Sequence, residues 1–180
     1  MRALGRSAVV SSSVLTMYIL SKERSGTPEE IAAAFQRYQD YLRVSRERFP
    51  RGAFELASSA WYFDPTDHRC PHDAWLEEVV ISERVSHTEG TTGTASIRIN
   101  LLGAYHDGYI KLHYPVVHAY SLGLRDGVRG HADWRYDEFR MSPSGSLLHE
   151  IEWWHLGETG RWLIEASDVE FRWIPTEAGR

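Results

Sequence analysis

The sequence predicts an α+β fold: two N-terminal helices packed on a curved antiparallel sheet of about six strands in meander order. Three observations predict it. Apolar residues recur at helical spacing through Tyr62, they alternate from Trp75 onward, and short turn-forming connections separate the alternating segments.

The first helix is expected over residues 28–48. Thr27 stands at the N-cap, Pro28 at the first helical position and Glu30 three residues after the cap, a capping-box pattern. Ile31, Phe35, Tyr38, Leu42 and Phe49 then follow helical spacing, with Arg37, Asp40, Arg43 and Glu47 around the other face. Pro50 and Gly52 stop it. A short second helix is expected over residues 53–62, where Phe54, Ala57 and Trp61 share a face, and Asp64-Pro65 opens a loop.

The segments WLEEVVISERV, ASIRINLLG, YIKLHYPVVHAYSL, DWRYDEFRM, LLHEIEWWHL and RWLIEASDVEFRWI read as strands, separated by TEGTTGT, HDG, LRDGVRG, SPSG and GETG. Alternation puts Ile110, Leu112, Tyr114, Val116 and His118 on one face, opposite Lys111 and His113. Pro115 cannot donate to a ladder, so that strand runs at an edge or carries a bulge there. The last segment changes phase near Ala166-Ser167-Asp168, which predicts a bend near Ser167.

At 180 residues and 42% hydrophobic content the chain can bury one substantial core, so residues 21–180 are read as a single domain. Residues 1–20 read as a leader, disordered or upstream of a start at Met17, since the run is too polar and short to span a bilayer. A lone cysteine excludes an internal disulfide, and a cytoplasmic location is expected. The net charge of −5 is uneven: through Arg51 there are nine basic and five acidic residues (+4), leaving eleven and twenty (−9). An acidic body argues against nucleic-acid binding and favours a basic partner or simple solubility.

Four constellations carry chemical interest. The stretch DHRCPHD groups His68, Cys70 and His72, suitable zinc ligands that His149 or His155 would complete. The competing reading is a turn in which Asp73 caps backbone amides before Trp75 starts the core. Cys70 as a nucleophile lacks the helix N-terminus that lowers a thiol pKa. Glu150 and Glu152 share a strand face at roughly 7 Å, as a carboxylate pair flanking a substrate or as part of a solvated face, the preferred reading. Finally, DWRYDEF and HEIEWWHL set acids beside aromatics, a pattern able to grip a basic protein through Asp133, Trp134, Asp137, Glu138, Glu150, Glu152 and Trp154. No phosphate-cradling glycine loop, G-x-S-x-G elbow or H-E-x-x-H helix occurs.

The order CPHDAWLEEVVI, HADWRYDEF, LLHEIEWW and RWLIEASDVEFRWI, over roughly residues 70 to 174, resembles a broad set of small bacterial α+β proteins. Some of these are regarded as immunity proteins that neutralise toxins of interbacterial competition. The resemblance carries no functional residue over to this chain. It implies a non-enzymatic protein-binding domain, without a cofactor, that blocks a cationic toxin or other basic partner. The alternatives are a metal-dependent hydrolase built on His68, Cys70, His72 and His149, and a small-ligand module with an aromatic cavity inside the curved sheet.

Overall fold

A computed structural model describes residues 19–20, 26–84, 93–124, 130–155 and 157–176. The expectations for the leader up to Tyr18, and most of the TEGTTGT and LRDGVRG connections, lie outside the described residues.

Helix α1 (Pro28–Ser45) begins with the expected capping box: Glu30 N donates to Thr27 Oγ1 at 3.2 Å and Thr27 N to Glu30 Oε2 at 2.9 Å. A 3₁₀ turn at Arg46–Arg48 ends it. Helix α2 is Arg51–Ala57, shifted toward Pro50 from the expected span. It stops early because Ser58 and Ser59 donate their hydroxyls to the Phe54 and Glu55 carbonyls, both at 2.6 Å, and the chain tightens into a 3₁₀ turn at Ala60–Phe63. The N-terminus of α2 is satisfied from far along the chain. Gly52 N and Ala53 N donate to the Asp168 carboxylate at 3.1 and 2.9 Å. A Cβ at Gly52 would stand 2.3 Å from the Val169 carbonyl oxygen, so this approach requires glycine.

Seven strands follow: β1 (Trp75–Arg84), β2 (Thr94–Leu102), β3 (Gly108–Leu122), β4 (Asp133–Met141), β5 (Leu147–His155), β6 (Glu158–Ala166) and β7 (Glu170–Pro175). All pairings are antiparallel, in the order β2-β1-β4-β5-β6-β3-β7 with a further β2–β3 pairing. Each half is therefore a meander, β1–β2–β3 and β4–β5–β6, and the β3–β6 and β1–β4 pairings close the two into a six-stranded ring with β7 alongside β3. The expected phase change is real: β6 and β7 run in succession beside β3, interrupted at residues 167–169, where Ser167 N donates to the Val116 carbonyl. Pro115 lies at a bulge between Tyr114 and Val117. That extra residue reverses the phase, so Val117 is buried and Val116 exposed, not on the Tyr114 face as strict alternation predicts.

The ring interior is packed solid. Ile97, Ile99, Leu112, Tyr114, Phe139 and Ile164 fill it with three buried indoles, Trp134, Trp153 and Trp162, which meet edge to face at 5.2 and 5.0 Å. The side chains themselves occupy the space where the alternative reading of a small-ligand module would put an aromatic cavity.

The ring has one narrow seam. β1 and β4 pair only at Trp75 and Asp133, supported by Trp134 N to the Ala74 carbonyl (3.0 Å) and Asp73 N to the Trp134 carbonyl (2.8 Å). Beyond that point α1 covers the open edge of β4. The Tyr38 hydroxyl accepts from Phe139 N at 2.8 Å and donates to the Phe139 carbonyl at 3.0 Å, while Tyr41 accepts from Met141 N at 2.8 Å. Among the described residues, no helix is long and apolar enough to cross a membrane.

Candidate functional site

The His68 to Asp73 loop is a junction. Ala74 N donates to the Pro71 carbonyl at 2.9 Å, closing a turn in which Asp73 takes the left-handed conformation (φ 61°). The Asp73 carboxylate reaches side chains, not the backbone amides expected: His72 Nδ1 at 3.2 Å and Arg135 at 3.4 Å. Trp75, expected to start the core, is exposed on the outer face, with its indole N–H donated to Asp133 at 2.9 Å; the core begins at Ala74.

The four residues expected to form a zinc site are pulled apart by different partners. His68 stacks on Tyr105 at 4.0 Å and pairs with Asp107 at 2.5 Å. Cys70 is buried, donates to the Tyr62 carbonyl, and has its thiol pushed up to about 12, first by burial. Burial lowers the pKa of His72. His149 is fully buried inside the ring. Among the described residues no three His, Cys, Asp or Glu side chains are placed to hold a metal ion.

His149 belongs to a buried polar chain. Tyr62 Oη donates to Asp137 Oδ2 at 2.7 Å, Trp134 Nε1 donates to Asp137 Oδ1 at 2.9 Å, and His149 Nε2 stands 2.9 Å from Asp137 Oδ2. A carboxylate that already takes the Tyr62 and Trp134 protons accepts from His149 Nε2 as well, and His149 Nδ1 lies 2.5 Å from the Tyr114 hydroxyl. Burial, with Asp137 nearby, raises both the Tyr62 and Tyr114 pKa. Every member has its partner, and the adjoining cavity, lined by Cys70, His72 and Asp137, measures only ≈40 Å³. That is room for about one or two water molecules, too small for a substrate. This network specifies the core.

The acidic strands β4 and β5 are also closed. Of the seven residues expected to contact a basic partner, Trp134, Asp137, Glu138, Glu150 and Glu152 are buried, while Asp133 and Trp154 are half-buried. Glu138 and Glu150 sit directly opposite each other, a costly like-charge pair, and Arg140 bridges them. Arg140 Nε is 2.9 Å from Glu138 Oε1, an ion pair out of line for a hydrogen bond. Glu138 Oε2 accepts the amides of Ile19 and Leu20 at 2.7 and 2.9 Å, so the N-terminal segment lies over it. Burial pushes Glu138 up to about 7 against the pull of Arg140 and these two amides. Arg161 stands 3.6 Å from both Glu150 and Glu152. The expected solvated acidic face is thus an internally neutralised layer: its carboxylates are consumed by arginines on neighbouring positions and by the chain segment above them.

A different face carries unmatched charge. On the outer side of β1, β2, β3 and β7 the register aligns Glu78, Asn100, Lys111 and Arg172 in one row and Val80, Arg98, His113 and Glu170 in the next. These rows border a cleft of ≈350 Å³. His113 Nδ1 is held by Glu170 at 3.1 Å. Lys111 and Arg172, directly opposite each other, and Arg98 beside them are exposed and make no ion pair with any described residue. Adjacent strands lie about 4.8 Å apart, and all three cationic side chains border the one cleft. Alternation already places Lys111 and His113 together; only the pairing of β3 with β2 and β7 brings Arg98 and Arg172 to them. Comparison of the chain with protein families, with curated proteins and with solved structures finds no match in any of the three.

Proposed function

We propose that the protein is a non-catalytic binding module that takes an anionic ligand in the outer cleft of β2, β3 and β7. One observation carries this reading. Among the described residues two like-charge pairs stand directly opposed, and they are treated differently: Glu138 and Glu150 are bridged by Arg140, whereas Lys111 and Arg172 make no ion pair, although Glu78 and Glu170 border the same cleft. Like charges facing each other across strands destabilise a sheet, and a bound anion removes that cost while gaining charge-assisted hydrogen bonds. The reading keeps the expectation of a binding protein and reverses the sign of what is bound, because most of the carboxylates expected to attract a basic partner are buried in ion pairs.

Titration of inorganic phosphate at low ionic strength, followed by amide chemical shifts, tests it. Shifts should move saturably at residues 98, 111 and 172, weaken with added salt, and vanish in the double variant Lys111→Glu, Arg172→Glu. Unperturbed amides on these three strands would remove the proposal.

A further inference from the structure

We infer that the anion bound in this cleft carries an apolar tail, so that the ligand is a single-chain amphiphile with an anionic head. The inference rests on the proposed anion site and adds to it the neighbouring row of the same face. One step along each strand from Asn100, Lys111 and Arg172 stand Leu102, Tyr109 and Ile174, themselves cross-strand partners, and the row continues to Trp75 on β1. Side chains two residues apart on a strand share a face roughly 7 Å apart, so Asn100, Lys111 and Arg172 each have an apolar neighbour. Both ends of this apolar row face solvent: Trp75 is 48% and Ile174 40% exposed. The Trp75 ring is fixed, by its hydrogen bond to Asp133 and by packing against His106 at 4.8 Å, and is therefore a preformed apolar wall.

The row beneath cannot turn inward. Gly108 lies under the Trp173 indole, which occupies the place a Cβ would take at 2.2 Å, so the core on this side is filled and the outer apolar side chains have no interior to enter. A head held by Lys111, Arg172 and Arg98 leaves its tail in reach of Tyr109, Leu102 and Ile174, where apolar surface on both partners leaves water. A membrane surface offers the same chemistry in another form. The concave ≈350 Å³ cleft fits a single head group, and the proposal commits to the monomeric amphiphile.

The test compares inorganic phosphate, octyl phosphate kept monomeric, and vesicles containing an anionic phospholipid, using the full chain and calorimetry with amide shifts. Octyl phosphate should bind at least tenfold more tightly than phosphate and should shift Leu102, Tyr109 and Ile174 amides that phosphate leaves in place. Ile174→Ser should remove most of that gain while phosphate binding persists. Equal affinity for the two phosphates overturns the tail but leaves the anion site standing. Vesicle binding without binding of the monomer overturns the inference in favour of a lipid surface. Binding of none of the three overturns the anion site itself. The amide shifts of the unmodified protein decide the matter even if Ile174→Ser fails to fold.

Discussion

The Tyr38 hydroxyl both accepts the Phe139 amide proton and donates to the Phe139 carbonyl, so one side chain supplies the two bonds a neighbouring strand would give. Tyr38 is fully buried, and burial, reinforced by Glu138, raises its pKa well above the ordinary value. Tyr38→Phe keeps the ring packing against Phe63 and leaves two buried backbone groups unpaired. Each such group costs about 1–3 kcal/mol. Chemical denaturation should therefore show a loss of about 2–6 kcal/mol; a loss below about 0.5 kcal/mol would mean that water replaces the hydroxyl.

Glu138 predicts a pH dependence of stability with a definite sign. Its folded pKa, raised to about 7, exceeds the unfolded value, so the native state holds the proton more tightly. The contribution is present in full below the unfolded pKa of about 4.3 and is lost as pH rises through about 7. Glu138→Gln abolishes that titration. Wild type should lose stability relative to Glu138→Gln between about pH 4.5 and 8, by up to about 3 kcal/mol. Parallel denaturation curves for the two proteins across that range would show that Arg140 and the Ile19 and Leu20 amides hold the carboxylate ionised throughout.

Cys70 should be inert. A thiol buried beside the Tyr62 carbonyl and pushed up to about 12 presents almost no thiolate near neutral pH. An aromatic disulfide reagent added to native protein should react only as fast as the chain unfolds, and stoichiometrically in denaturant. Rapid labelling of the folded protein would reopen the nucleophile reading.

At the cleft, binding and stability should separate. Lys111→Glu places opposite charges across the β3–β7 pair and is expected to raise stability by about 0.2–1 kcal/mol while abolishing phosphate binding. A combined loss of stability and binding would mark Lys111 as part of the scaffold.

Fold class was legible because its signals are local. The capping box at Thr27, the strand start at Trp75 and the phase change at Ser167 each depend on residues close in sequence, and each is found in place. Second-helix bounds were less so, since Ser58 and Ser59 bend the backbone through their own hydroxyls and the helix start depends on Asp168, 115 residues away from Ala53. The acidic strands misled for a related reason. A Glu on a strand reads as surface unless one knows that Arg140 lies between Glu138 and Glu150 and that Ile19 and Leu20 cross above them. The cleft depends on cross-strand register, which alternation within one strand does not contain.

The seam between β1 and β4 bears on how the chain is made. The edge of β4 that α1 covers is the kind of unpaired strand most prone to pairing with another chain. Its cover lies 101 residues earlier in the sequence. At ribosomal speeds of about 5–20 residues per second, the tyrosine-bearing helix leaves the exit tunnel roughly 5–20 s before the strand it protects. The nascent protein never presents that edge without its own cover already made, which places the safeguard against intermolecular pairing in the order of synthesis as well as in the finished fold.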